Sequence, residues 1–431
     1  MELSDLNSSL TDPLFASVTF LNEVAQRYPD AVSFAAGRPC EDQFGRDDLD
    51  RYLRRYREYL ATVRGYDERQ VIRTLHQYGR TKGIVHELVA RYLATDEGIE
   101  VDPEAIVVTV GAQEAMYLVL RTLCRDERDV ALAVSPTYMG FTGAARLAGM
   151  PVLPVASGES GVDFEDLLAR VAAARRRGSR PRCLYLVPDF SNPAGVSVDI
   201  PSRRRLVELA GQENLLLLED NPYGLFTDGD ERPPTLKALD RGQRVVYLGS
   251  FAKTVLPGAR VGFAVADQPV TVEGRRTGYL ADELAKIKSM VTVNTPPLGQ
   301  AVVAGRLLEN DFSLSRANAE VTAVYRRNRA LLLDGLQDRF GGSSAVRWNA
   351  PAGGFFVVLS LPFPADEELL AHSAREHRVL WTPMRHFYDG ADGEGTHQLR
   401  LSCSALTPEE IATGLDRLAK LVAERLSPAA P

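Results

Sequence analysis

Between residues 100 and 265, short apolar runs recur with stretches of helical length between them. They are Ile106–Val110, Asp129–Val134, Arg182–Val187, Leu215–Leu218 and Val245–Gly249. These runs are largely apolar rather than alternating with polar residues, the pattern of strands buried on both faces. Strands of that kind separated by helices predict an α/β fold, a mostly parallel sheet with helices on both sides. Open sheets of this type bind ligands beyond the carboxyl ends of their strands. The residues just after each run are therefore the ones to read for chemistry.

The run at 245–249 leads into SFAKTVLPGARVG, residues 250–262, which places Ser250, Lys253 and Arg260 in one short stretch. A lysine near a cation is disposed to lose its proton, and a neutral amine can form a Schiff base. A hydroxyl and a guanidinium are the donors a phosphate monoester needs. Together they point to an aldehyde cofactor carrying a phosphate, pyridoxal phosphate, although a lysine taken alone is an ordinary solvated charge. Asp220 ends a four-leucine strand, where a carboxylate needs a partner. Gly111 turns a strand into a helix at 112–118, leaving free N–H groups as an anion site. Turns like this also occur where nothing binds. Gly37 fits a close backbone approach or a simple turn.

The stretch 250–262 resembles the Schiff-base motif of the fold-type I pyridoxal phosphate-dependent aminotransferases of classes I and II. The likeness runs from about Ser33 to about Ser404, with the motifs in the family's order. It implies an aspartate aminotransferase-like fold. A large domain with a mostly parallel sheet, residues 46–305, would carry a smaller α/β domain built from the arm at 1–45 and the chain from 306 to 431. It implies Lys253 as the cofactor-bearing lysine, with Asp220 on the pyridine nitrogen and Asn192 and Tyr223 on the phenolic oxygen. Tyr138 of the Pro-x-Tyr turn would stack on the ring. Ser250, Arg260 and the turn after Gly111 would hold the phosphate. The residue after that glycine is Ala112, without a hydroxyl, so the backbone N–H groups of Ala112 and Gln113 would serve. Tyr78 would reach the phosphate of the other subunit, which implies a homodimer. Arg400, in the strand HQLRLS, would hold the α-carboxylate of the amino acid, and Asn192 and Gly37 also lie on the substrate side. Without the likeness, Arg400 reads as a surface strand residue and Tyr78 as a packing residue.

Composition limits the partners. With 50 Lys+Arg against 57 Asp+Glu the net charge is −7, which argues against bulk nucleic-acid affinity. The arginine runs at 175–177 and 203–205 read as solvated helix faces. The four cysteines are scattered without ligand spacing, so free thiols in a reducing cytoplasm and no metal are expected. No signal sequence or membrane span is expected.

For the substrate, the helix ahead of Ser33 is informative. In the aminoadipate and kynurenine branch an arginine there helps read the side chain, and its place falls at Phe20; residues 1–26 contain no Arg or Lys. An aromatic or apolar side chain is therefore expected. SFAAGRP, QYGRTKGIVHELVARYL and ELAKIKSMVTVNT further resemble aminotransferases that make arylglycines for nonribosomal peptide antibiotics, the 3,5-dihydroxyphenylglycine transaminases, with tyrosine as donor. The alternatives are a general aromatic or 2-aminoadipate aminotransferase, a lyase or decarboxylase on the same fold, and the sensor module of a transcription regulator. The last needs a DNA-binding domain ahead of it, and the residues before Gly37 are too few and lack basic character.

Overall fold

The strands at 106–265 assemble as their apolar character requires. In the computed structural model, which describes residues 1–2, 5–12, 14–15, 23–24, 26–41, 44–158, 160–227, 232–389 and 393–426, strand β1 (Val32–Ser33) precedes a seven-stranded sheet. That sheet is formed by β2 (Ile106–Thr109), β3 (Asp129–Ser135), β4 (Val152–Ala156), β5 (Arg180–Leu186), β6 (Leu216–Asp220), β7 (Val245–Ser250) and β8 (Gly262–Val265). The spatial order is β2-β8-β7-β6-β5-β3-β4. All neighbours are parallel except at β8, which runs against both β7 and β2.

Alternate residues of each strand enter opposite cores, as a period of two demands. Ala131, Ala133, Cys183, Tyr185, Leu218 and Val246 pack under helices Gly111–Leu123, Met139–Ala148 and Leu280–Val291. Leu132, Leu184, Leu186, Leu217 and Val245 pack under helices Phe164–Arg176 and Ile200–Gln212 on the other side. Polar residues at strand ends follow the same rule, so Glu219 and Asp220 leave β6 in opposite directions. Glu219 accepts the backbone N–H groups of Leu236 and Lys237, each at 2.8 Å. Asp220 turns to the other face.

After the hairpin of β9 (Pro269–Val272) and β10 (Arg275–Tyr279), a second, antiparallel sheet forms from β11 (Arg347–Trp348), β12 (Phe356–Ser360), β14 (Thr382–Pro383) and β15 (Gln398–Ser402). Its order is β11-β12-β15-β14. β1 pairs in parallel with β13 (Val379–Leu380), joining the beginning of the chain to its later part. The Ser402 N–H also donates to the Phe34 carbonyl at 2.8 Å. Helices Ala319–Phe340 and Pro408–Leu426 cover this sheet around Leu332, Leu336, Leu415 and Leu418. These contacts carry residues 35–38 to the carboxyl ends of the large sheet.

One arginine of the run 203–205 departs from the expected solvated face. Arg203 is fully buried and pairs with Asp189, while Arg204 and Arg205 are exposed. Its guanidinium also donates to the carbonyls of Val198 (2.8 Å), Pro188 (3.0 Å) and Pro234 (3.0 Å). The segment between β5 and helix Ile200–Gln212 is thus fastened from inside. Removing the anion while leaving the cation buried is strongly destabilising. Asp189→Ala is expected to lower stability by roughly 3–5 kcal/mol, measured by urea unfolding of purified protein.

Candidate active site

The carboxyl ends of β5, β6 and β7, the start of helix Gly111–Leu123, residues 35–38 and β15 surround a cavity of about 340 Å³. Gln113, Tyr138, Asn192, Asp220, Tyr223, Ser250, Lys253, Arg260 and Arg400 all line it, as do the backbones of Gly37 and Ala112. Of the other expected residues, Gly111 opens the helix that borders the cavity, and Tyr78 is placed away from it. Tyr78 is 84 % exposed and does not line the cavity of its own chain. Phe20 lies outside the described residues.

Lys253 follows β7 in the turn before a short 3-10 helix, Pro257–Ala259. Its Nζ donates to the Gly37 carbonyl at 2.5 Å, a contact between the large sheet and the N-terminal segment. Gly37 itself packs bare against Phe356, since a Cβ there would sit 2.6 Å from that ring. Burial, then Arg400, Arg260 and Arg38, disfavour the ammonium and bring the amine down to about 8.

Asp220 is buried at the end of β6. Burial pushes its carboxyl up to about 7, against the Tyr185 hydroxyl, which donates to Oδ2 at 2.7 Å. Oδ1 is buried with no hydrogen-bond partner. That orphaned oxygen fits a cationic ring N–H, the group a pyridinium offers. Tyr185 lies in β5 and its ring stacks on Phe141 with 4.0 Å between centroids. It was not among the expected site residues. The signal was one polar hydroxyl in an otherwise apolar stretch, CLYLV.

Another part of the lining gathers N–H donors. Gly111 has φ +72°, and a Cβ there would meet Arg260 Nη2 at 2.6 Å, so the guanidinium rests against bare backbone. Arg260 itself is left-handed, φ 52°, a strained conformation of the sort found at ligand clamps. The helix that starts at Gly111 has no side-chain cap, which leaves its first N–H groups beside the cavity. Ser250, the last residue of β7, completes this corner.

Arg400 is buried, not on a wet strand face. It sits in β15 between Val358 of β12 and Thr382 of β14. It donates to Asn192 Oδ1, to the Ala35 carbonyl at 2.7 Å and to Thr382 Oγ1 at 3.2 Å, while its Nε has no partner. The guanidinium lies over Phe356 at 4.4 Å from the ring centre. Burial lowers its pKa to about 10, so it holds its charge at neutral pH. Arg38, on the rim, is a further cation that the sequence reading did not single out.

The cavity thus combines an amine with a lowered proton affinity, a buried carboxyl with one unpartnered oxygen, a corner of N–H and guanidinium donors, and a buried guanidinium with an unpartnered Nε. The family pattern Aminotransferase class I and II matches residues 32–418. The (S)-3,5-dihydroxyphenylglycine transaminase of Amycolatopsis orientalis is 54% identical over 426 residues, 99% of this chain and 95% of that one. The crystal structure of the α-aminoadipate aminotransferase of Thermus thermophilus, complexed with N-(5′-phosphopyridoxyl)-L-leucine, superposes with a TM-score of 0.77. It is 31% identical, covering 98% of this chain and 99% of that one. The aspartate aminotransferase of the same organism has the same fold, with a TM-score of 0.73 at 23% identity over 96% and 99% of the two chains. The chain belongs to the class I and II aminotransferases, and its cofactor is pyridoxal 5′-phosphate.

Proposed function

We propose that this aminotransferase moves an amino group between an aromatic amino acid and a 2-oxo acid, forming (S)-3,5-dihydroxyphenylglycine from its glyoxylate with tyrosine as donor, for antibiotic biosynthesis. The observation that carries the reading is the 54% identity to a transaminase of that product over nearly both chains. The cavity supports it. Its lining includes the apolar or aromatic side chains of Met116, Met139, Val187 and Phe356, the last of them under the Arg400 guanidinium.

In this reading the cofactor supplies the carbonyl that accepts the amino group and the ring that takes up electrons when the Cα–H bond breaks. Arg400 seats the carboxylate shared by amino acid and 2-oxo acid, using donors such as the unpartnered Nε. Lys253 Nζ takes the proton from the substrate Cα and later returns one, work suited to an amine near neutrality. Asp220 holds the proton on the ring nitrogen through Oδ1, with Tyr185 orienting Oδ2. Asn192 and Tyr223 address the phenolic oxygen, and Tyr138 flanks the ring. Ser250, Arg260 and the N–H groups of Ala112 and Gln113 receive the phosphate.

A homodimer is part of the proposal, with Tyr78 completing the partner's phosphate pocket. Its exposure supports this, as does that of the apolar side chains Met290, Val291, Val293 and Leu298. The protein acts in the cytoplasm on small molecules, without nucleic acid; no described helix is long and apolar enough to cross a membrane.

Arg38 favours a second reading, an acidic substrate such as 2-aminoadipate, because a rim cation suits a second carboxylate. A half-reaction decides. Purified holoenzyme is mixed with single amino acids while the cofactor's visible absorbance is followed. Rapid bleaching by dihydroxyphenylglycine and tyrosine, with little from glutamate or 2-aminoadipate, is expected. The reverse order, abolished by Arg38→Leu, would establish the second reading instead.

The Lys253 environment has a pH signature. In cofactor-free protein the amine is expected to titrate near 8, and the rate of cofactor capture to rise through that value as the nucleophile loses its proton. Arg260 and Arg38 both oppose the ammonium, so Arg38→Leu moves the midpoint upward. The sign for stability follows. This lysine costs stability below pH 8, and the cost fades as pH rises toward its ordinary 10.5.

Tyr185→Phe keeps the ring stacked on Phe141 and removes only the donor to Asp220. A hydrogen bond to a charged group contributes about 1.5–3 kcal/mol. Cofactor affinity is expected to fall by roughly tenfold or more, measured by equilibrium dialysis.

A further inference from the structure

Two imidazoles and a carboxylate converge away from the cavity, on the helical layer of the smaller sheet. His372 ends helix Glu367–His372, and His377 ends the single π turn that follows, Ser373–His377. Glu424 comes from the last turns of helix Pro408–Leu426. In an α-helix, residues five apart face different directions. The i→i+5 bonding of a π turn brings them toward one side, and such turns recur at functional sites. The turn is anchored from within: Ser373 Oγ donates to the Val379 carbonyl at 2.7 Å and receives the Trp381 indole N–H at 3.2 Å.

The geometry is that of a ligand set. His372 Nε2 lies 3.0 Å from Glu424 Oε1, and His377 Nε2 lies 2.8 Å from Oε2. One ligand atom from each residue can be chosen so that all lie within 4.8 Å of one another. A tetrahedral zinc ion with bonds of about 2.0–2.2 Å sets its ligand atoms about 3.3–3.5 Å apart. The two His–Glu contacts open by several tenths of an ångström to reach that spacing, and ligand atoms that are now up to 4.8 Å apart close toward it. The imidazoles are mostly buried and the carboxylate is half exposed, so three ligands are held while a fourth position can face water. Two histidines, one glutamate and a water form a known zinc-binding set.

We propose that His372, His377 and Glu424 bind a divalent transition-metal ion, of which Zn²⁺ is the type, and that the ion ties the π turn to the C-terminal helix. Binding places the metal where imidazole N–H groups now donate to the carboxylate, and the displaced protons leave to solvent. The ion is a structural tie, separate from transamination.

Untagged holoenzyme is titrated with Zn²⁺ by calorimetry and with Co²⁺ by visible absorption, which reports tetrahedral coordination. One ion per chain and a melting temperature that rises with ion concentration are expected. Glu424→Gln should weaken binding by at least about tenfold, and His372→Gln/His377→Gln should abolish it, with the half-reaction unchanged. An unbleached cofactor absorbance confirms that each variant is folded. Absence of stoichiometric binding to the wild type overturns the proposal. So does undiminished binding by the double variant, which would place an adventitious ion elsewhere, for instance on the Cys40 or Cys124 thiol. Should the double variant fail to fold, the Glu424→Gln titration alone decides.

Discussion

A buried guanidinium without a fixed anion is the condition to which the rest of the site answers. Arg400 is enclosed by β12, β14, residues 35–38 and the Asn192 loop, and its hydrogen-bond partners among the described residues are all neutral oxygens. A buried charge without an opposite charge is costly, and hydrogen bonds offset only part of the cost. An incoming carboxylate supplies what is missing. Arg260, Arg38 and Lys253 add to the positive side, against Asp220 at the floor. A chain of net charge −7 thus concentrates cations in one cleft, where the field favours anionic ligands. Phosphate, amino-acid carboxylate and 2-oxo acid are all anions.

The geometry that holds these groups comes from strand periodicity. Leu217 and Leu218 enter opposite cores, and so Glu219 and Asp220 must diverge. Both carboxyls are raised to about 7 by burial, yet they end differently. Glu219 is answered by backbone N–H groups and serves the fold. Asp220 is answered on one oxygen by Tyr185 and keeps the other free. The same strand end therefore yields one structural and one functional carboxylate, and a shift of one residue would exchange them.

This explains what could be read from the sequence. Strand ends are local features, so Lys253, Asp220 and Arg260 were legible as cavity residues from the runs before them, whereas Asn192 entered only through the family resemblance. Tyr185 was not, because its bond to Asp220 crosses between neighbouring strands and depends on register. Arg400 read as exposed because β15 alternates polar and apolar residues. Its polar side is covered by residues 35–38, which lie more than 350 positions earlier in the sequence. Arg203 was hidden within an arginine run, where only helix phase decides which member turns inward. His372 and His377 escaped notice because five-residue spacing has meaning only in a π turn.

The cavity's two halves come from different sheets, and that division bears on proton transfer. Lys253 belongs to the large sheet, whereas Arg400 and Arg38 arrive with the smaller one and the N-terminal segment. Among the charges acting on Lys253, Arg400 is the largest. In the proposed reading, a carboxylate seated on Arg400 cancels part of that repulsion and raises the proton affinity of the amine. The empty site lowers the proton affinity of Lys253 and brings it closer to the neutral nucleophile, while the substrate-bearing site makes it a better proton acceptor. One electrostatic contact across the sheet boundary thus links substrate binding to the two tasks of the same lysine.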